Sequence, residues 1–420
     1  MENRFEPPQD VFEWIFNGWP ASIGYGLLFG VGLIGVLSGR HRPRIPWWLI
    51  ALPAFWLLWQ LLSAFRSSDP TLSRMTFQHF VICVACFYLG LFVLGKDGNP
   101  RAFWVGVAVG FGLMLTSGFM QRFGGLEATR KYFWLYIYPK ETGSVEPELI
   151  KRMTSDRIFA TLFYPNTLAG AILLWLPMIL GGVWTWKNQF TAAARRFLMA
   201  VLALAAVLCL IWSGSKAGWL ILLVEGFVGV LFLPIARRVK LILVAVVLMV
   251  GLAGFFAKYA GFFQRGATSV VARFDYWEAA FKIAERNPGY GTGPGTFARE
   301  YRRIKRPESE MARIAHNDYL QQACDSGFIG FLAFSGFMVG ALIFTNRRSQ
   351  LGRSRKLSEA SEDETGWLRL AVWLGLLGIS LQSFVEFGLY IPAIAWSWFT
   401  LLGWLLAQSG KAIDTTSRVG

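Results

Sequence analysis

The side chains in this sequence best suited to act on a phosphorylated substrate are a few cations, one histidine and a run of alternating glycines. Most of them fall within 271–330, a stretch too polar to cross a bilayer yet flanked by hydrophobic segments. Arg273 stands one helical turn before Trp277. The glycine run reads Gly289-Tyr-Gly-Thr-Gly-Pro-Gly295. A basic cluster follows (Arg299, Arg302, Arg303, Lys305, Arg306), and then Ala315-His-Asn-Asp-Tyr-Leu-Gln321. Guanidinium groups offer forked donors that match phosphate oxygens, closely spaced glycines let backbone N–H groups approach an anion, and an imidazole can move a proton near neutral pH. Each feature also has a plainer explanation. Glycines make turns, an interfacial arginine anchors to headgroups, basic runs are usually solvated faces, and an isolated histidine is more often structural. The glycines form no G-x-G-x-x-G and are followed by no Lys-Ser/Thr, so neither a dinucleotide site nor a P-loop is supported. His316 has no Cys or His nearby for a metal, and no Asp-x-Asp sequence lies outside the hydrophobic segments.

These residues must be positioned by a membrane protein. Of 420 residues, 54% are hydrophobic and only 16% charged, with 19 Trp and 36 Phe. Apolar runs of about 20 residues, long enough to cross about 30 Å of hydrocarbon, recur along the chain. We count about eleven (10–12), near 20–38, 46–65, 76–95, 101–120, 160–184, 197–214, 216–234, 240–258, 326–345, 367–388 and 391–408. The fold class is therefore an all-α polytopic membrane protein. No cleavable signal is recognisable at the start, and Phe12 to Trp19 could be an interfacial segment. A net charge of +15 would suggest nucleic acid in a soluble protein, but here its location decides. The loops 39–45, 187–196, 236–240 and 346–356 are basic and alternate with poorer ones, so the positive-inside rule makes them cytoplasmic and turns 259–325 outward. A loop that long translocates whatever its charge. Within it, Thr268 or Ser269 can cap an amphipathic helix ended by Asn287-Pro-Gly289. Its apolar face would comprise Val270, Phe274, Trp277, Phe281 and Ala284 and rest on the membrane surface.

Order and spacing carry more than any single residue. Arg-x3-Trp, Asn-Pro-x-x-Gly-x-Gly-x-Gly-Thr-Phe and His-Asn-x-Tyr-Leu-Gln with Gly-x-x-Gly soon after together resemble the O-antigen ligase and O-antigen polymerase family. The likeness extends upstream to Arg157-Ile-Phe-Ala-Thr-Leu-Phe-Tyr-Pro-Asn166-Thr-Leu-Ala and Ser213-Gly-Ser-Lys216-Ala-Gly, and downstream to Glu386-Phe-Gly-Leu-Tyr390-Ile-Pro392, covering roughly 155–400. The resemblance implies a GT-C-like glycosyltransferase in a bacterial inner membrane, with its active site facing the periplasm. It would move a glycan from a polyprenyl-diphosphate carrier to an acceptor hydroxyl. It implies catalytic roles for His316, Arg273 and Lys216 and a place for Arg157 and Asn166 in the cavity lining; their residue types and positions add Trp277, Gly291, Gly293, Arg302, Arg303 and Asn317 as substrate-binding candidates. Family members usually have arginine where Lys216 stands, so a contact there would be a point charge rather than a fork. No cofactor, metal or nucleic acid is expected; the partners are the carrier-linked donor, a glycan acceptor and membrane lipids. The basic cluster favours a phosphorylated acceptor such as lipid A-core. A polymerase of the same family, a multi-pass solute transporter and a silent export scaffold are the alternatives.

The remaining expectations are structural. An N-terminal bundle 1–258 with an outward loop 121–158 precedes the external catalytic loop 259–325. Helices over 326–410, interrupted by a flexible linker at 346–366, and a disordered tail 411–420 complete the chain. Residue 165–166 should lie within the fifth span, with Asn166 facing the bundle. Cys83-x-x-Cys86 reads as core packing and Cys324 as facing outward without a partner, so no structural disulfide is expected. His41 and His79 should be solvated or capping groups, Glu225 a helix-pairing residue, and Trp47, Trp48 and Trp104 part of an aromatic belt. Asp318 could cap the ninth span or, with Asn317, orient the His316 ring.

Overall fold

A computed structural model describes residues 43–417 apart from 98–99, 142–149, 151–152, 163, 234, 265–267 and 356–362, together with scattered positions between 24 and 37. The 12–19 segment, most of the first expected span and His41 lie outside the described residues. Among the described residues the elements are helices, with no strand. They are α1 (Trp47–Phe65), α2 (Pro70–Phe92), α3 (Arg101–Met120), α4 (Leu126–Tyr132), α5 (Pro165–Thr185), α6 (Ala192–Ser213) and α7 (Lys216–Phe232). Then come α8 (Arg237–Gln264), α9 (Thr268–Arg286), α10 (Phe297–Ile304), α11 (Asp318–Arg355), α12 (Asp363–Gln382) and α13 (Pro392–Ser417). All but α4, α9 and α10 coincide with ten of the eleven expected spans. Among the described residues seven stretches are long and apolar enough to cross a membrane, and Gly366–Gln382 is a shorter apolar helix.

Local chemistry sets where these helices begin and end. Asp69 accepts from the Thr71 and Leu72 amides ahead of Pro70, Thr191 caps α6 at Ala194, and Ser215 caps α7 at Gly218. Between α6 and α7 the chain reverses in two residues because Gly214 takes the left-handed conformation (φ 64°) that an L side chain resists. Helix α5 begins at Pro165 rather than near 160, after an extended Tyr164. Proline is at home in a first turn, where its missing N–H has no partner to lose, so Pro165 starts the helix instead of kinking it. Asn166 thus sits in the first turn, buried at one end of the candidate membrane span Pro165–Thr185, within the fifth span and facing the bundle as expected.

The main core joins α2 to α13, α5 to α12 and α11 to α1, and is built around Trp56, Phe80, Phe87, Phe334, Phe337, Trp398 and Phe399. Helix α5 is its axis, with most of its span buried, whereas α8 is nearly all exposed on the rim. A second, separate cluster of Tyr276, Ala280, Ile283, Phe297, Tyr301, Ala315 and Cys324 holds α9 and α10 onto the start of α11.

Helix α9 packs Tyr276, Ala279, Ala280, Ile283 and Ala284 against the protein, because α11 and α10 dock there; of the stripe expected on the membrane surface, Val270, Phe274 and Phe281 are exposed and Ala284 is in the core. Several other expectations are corrected. Cys324 is buried, donating to the Ala280 carbonyl. His79 is buried too, its Nε2 2.9 Å from the Leu389 carbonyl oxygen. The linker is partly helical, since α11 runs on to Arg355, and α13 continues through Ser417 where a disordered tail was expected. The stretch 121–141 is a chain of short helical turns.

Candidate functional site

The buried end of the α12–α13 connection supplies the centre of the site. Ser383 to Tyr390 turns sharply and is tied down from three sides: His79 meets the Leu389 carbonyl, Asp318 Oδ2 accepts from Ser383 Oγ (2.7 Å) and the Leu389 amide (3.2 Å), and the Tyr390 hydroxyl donates to Asp325 (2.8 Å). This turn presents Glu386, a carboxylate only 4% exposed. Arg273 reaches it from the first turns of α9, donating through Nη2 to Glu386 Oε1. Its Nε donates to the Val385 carbonyl (2.8 Å) and its Nη1 to the Ser269 carbonyl (2.9 Å). Asn166 Nδ2 donates to the same Glu386 Oε1 at 2.5 Å. Arg157 in turn donates to Asn166 Oδ1 (2.7 Å) and, through Nε, to the Ser213 carbonyl (2.6 Å). A Cβ at Gly214 would press on the Arg157 side chain at 3.1–3.4 Å, so the glycine of the α6–α7 turn also makes room for this cation.

His316 completes the group. Its Nδ1 lies 3.5 Å from Glu386 Oε2, and neither atom has a hydrogen-bond partner. The ring stacks on Tyr276 and meets Phe387 edge-on (centroids 5.6 and 4.8 Å). His316 has φ 51°, unusual outside glycine. Such a backbone persists only where its surroundings over-determine it. Here they do: Gln321 Oε1 accepts from the Ala315 amide (2.8 Å), and Trp277 Nε1 donates to the His316 carbonyl (3.3 Å). In addition, Asn317 Oδ1 caps Leu320 (3.0 Å) and the Asp318 amide donates to the Ser383 carbonyl (2.8 Å). The His-Asn-Asp-Tyr-Leu-Gln motif is therefore largely the strap that holds one histidine in place.

Lys216 stands at the start of α7 with its Nζ over the Phe262 ring (3.9 Å) and near the Tyr259 ring (5.1 Å). It is close enough to Arg157 and Arg273 to be repelled by both. Burial by itself would raise Glu386, but the Arg273 charge and His316 outweigh it and hold the carboxyl below its usual range. Beside Asn166 and Glu386 lies a cavity of about 10 Å³, room for about one water, bordered by Tyr164, Gln382 and Ile391. Among the described residues no three His, Cys, Asp or Glu side chains converge as a metal-binding group.

Arg157, Asn166, Arg273, Trp277 and His316 thus come together, with Lys216 alongside. Gly291 and Gly293 do not join them. Their amides donate to the Asn287 and Asp325 carbonyls, and Thr292 N donates to Cys324 O, which leaves no N–H in this run's centre for an anion. A Cβ on Gly291 would strike the backbone of Cys324 to Ser326, and one on Gly293 would strike Ser67 and Ser73. The run is a packing device that seats the polar 268–317 segment on α1, α2 and α11. Asn317 caps α11 rather than facing the cluster, and Asp318 fastens the Ser383–Tyr390 turn rather than the imidazole. Arg302 and Arg303 are exposed on α10, and Arg303 pairs with Glu300 at 3.0 Å. Elsewhere in the basic cluster Arg306 pairs with Glu278 (3.3 Å), and Lys305 is turned onto loop carbonyls. The residue that sequence reasoning missed is Glu386. In the sequence it stands out only within the downstream stretch Glu386 to Pro392 of the family resemblance, and the available signal is an acid in a short, otherwise apolar connection between two helices.

Two comparisons with known proteins bear on this geometry. Residues 198–335 match the family model described as O-antigen ligase. Lys216, Arg273, Trp277 and His316 fall within the matched third of the chain; Arg157, Asn166 and Glu386 fall outside it. No individual curated protein matches the chain.

Proposed function

Taking as premise that residues 198–335 carry the O-antigen ligase signature, which supports an O-antigen ligase/polymerase-type membrane enzyme, we propose that the chain transfers a glycan from a polyprenyl-diphosphate carrier to an acceptor hydroxyl at the periplasmic face of the inner membrane. The observation that carries this reading is the meeting of Arg273, Arg157 and Asn166 with His316 around Glu386, and with Lys216 beside them. All of these stand at one end of the bundle. The basic loops 187–196 and 236–240 join helices at the other end, as the positive-inside rule requires of a cytoplasmic face.

The chemistry follows from the groups present. The acceptor O–H gives its proton to the second ring nitrogen of His316, Nε2, as the oxygen bonds to the anomeric carbon. The bond from that carbon to the diphosphate oxygen breaks, and its electron pair leaves on the carrier diphosphate. Arg273, Arg157 and Lys216 take up the growing negative charge. The donor carries its own activation, so neither a nucleotide nor a metal enters the scheme, and a single displacement inverts the anomeric centre. Arg302 and Arg303, exposed on α10, favour a phosphorylated acceptor such as lipid A-core.

Purified protein in lipid nanodiscs, given carrier-linked glycan with and without lipid A-core, tests the proposal. Transfer should require lipid A-core and fall on the order of 10²–10⁴-fold in His316→Ala, the usual range for a lost acid–base group. Chain growth without lipid A-core would make the protein a polymerase. Solute uptake that survives His316→Ala, with no glycan transfer by the unaltered protein, would make it a transporter.

A further inference from the structure

Glu386 is bonded asymmetrically. Oε1 takes both the Arg273 and the Asn166 hydrogen bonds, whereas Oε2 has none. The atom it faces, His316 Nδ1, is equally unsatisfied, and the two stand 3.5 Å apart, just beyond a good N–H···O bond. Both atoms are buried, and a bond left unmade between buried polar groups is costly. Meanwhile all three nitrogens of the Arg273 guanidinium are engaged by the protein itself. In this state the cation that would hold a diphosphate is occupied by a carboxylate, and the carboxylate that could orient the imidazole is held short of it.

We infer that Glu386 is an exchangeable positioning residue: a donor diphosphate takes Arg273 from it, and the released carboxylate closes on His316 Nδ1. This rests on the transferase reading and deepens it. Diphosphate oxygens compete for the same Nη2 donor with more charge than one carboxylate has. Once freed, Glu386 accepts from Nδ1–H, which fixes the tautomer that leaves Nε2 as the proton acceptor and stabilises the imidazolium formed when the acceptor hydroxyl is deprotonated. The proton path is unchanged: acceptor O–H to Nε2, with Nδ1–H remaining on the ring. The base is thereby assembled only on donor-loaded enzyme, which limits idle activation of water or acceptor. Asn166, itself held by Arg157, keeps Glu386 from leaving the site altogether during the exchange.

The exchange predicts opposite changes in binding and turnover. In Glu386→Gln the neutral amide competes poorly for Arg273, so binding of a probe diphosphate such as farnesyl diphosphate should tighten several-fold. Glycan transfer at saturating donor should meanwhile fall at least about tenfold. Parallel losses in both would mean a purely structural role, and no change in either would mean that Glu386 takes no part; each overturns the inference. Should the Gln protein not fold, Glu386→Asp serves. Its carboxylate, one methylene shorter, should loosen its hold on Arg273 and tighten diphosphate binding while retaining more turnover than any neutral replacement; unaltered or weaker binding overturns the inference. If the unaltered protein neither binds the diphosphate nor transfers glycan, the transferase reading itself fails, a result distinct from these.

Discussion

The glycine run 289–295 and the Ser383–Tyr390 turn both press against the first turns of α11, one from each side, yet they do opposite things there. The glycine run gives its backbone donors to Asn287, Cys324 and Asp325 and leaves its surface to packing. The turn uses its backbone and neighbours to fasten itself, through His79, Asp318 and Asp325, and so can present one buried carboxylate to Arg273, Asn166 and His316. The more conspicuous motif is therefore packed as scaffold, and the quieter segment carries the carboxylate around which the proposed chemistry is arranged. A run of small residues is visible because close approach of backbones forbids a Cβ wherever it occurs. A single acid in a turn becomes visible only when its partners are known.

Arg273→Lys bears most heavily on this contrast. It keeps the charge but loses the fork that lets Arg273 stay on the Val385 carbonyl through Nε while Nη2 passes from Glu386 to a diphosphate, so transfer should drop about 10²-fold with membrane insertion unchanged. Near-normal transfer would leave the turn as scaffold too. Gly291→Ala should act in the other way. With φ at 67° and the α11 backbone in the path of a Cβ, the protein should lose about 1–3 kcal/mol or more of stability, seen as a lower Tm in detergent. Turnover per folded molecule should stay close to that of the unaltered chain. Lost turnover at unchanged Tm would return the glycines to the substrate site. A smaller effect concerns pH. Because Arg273 and His316 hold Glu386 below the usual carboxylate range, the folded protein binds that proton less readily than the unfolded chain. The contribution is complete above the ordinary glutamate value of about 4.3 and is lost as pH falls through the lower folded value. The Tm should thus hold down to about pH 5 and decline only below it, with Glu386→Gln removing part of that acid-side decline.

Much of the architecture was legible from the chain alone. Ten of the observed helices follow apolar runs expected from the sequence, and the α6–α7 reversal follows from Ser213-Gly-Ser-Lys216. What local patterns leave open is settled by tertiary contacts. The face α9 packs on the protein depends on where α10 and α11 dock, and apolar residues stand on both faces. Pro165 is legible as a breaker, but only the structure shows that it starts α5. Arg273, His316, Arg157 and Lys216 were recognisable by motif, but their common centre was not.

By itself the sequence determined that the chain is a bundle of apolar helices with one polar segment, where most of those helices begin and end, and which cations and imidazole are available. These are properties of neighbouring residues, set by periodicity, capping and length. Only the tertiary structure decided that Glu386 is the group they share. Its bond to Asn166 spans 220 positions and its bond to Arg273 spans 113, and no local rule of hydrophobicity or backbone geometry connects residues so far apart. Packing of α5 against α12, together with the seating of α9 above them, is what turns three remote side chains into one electrostatic unit.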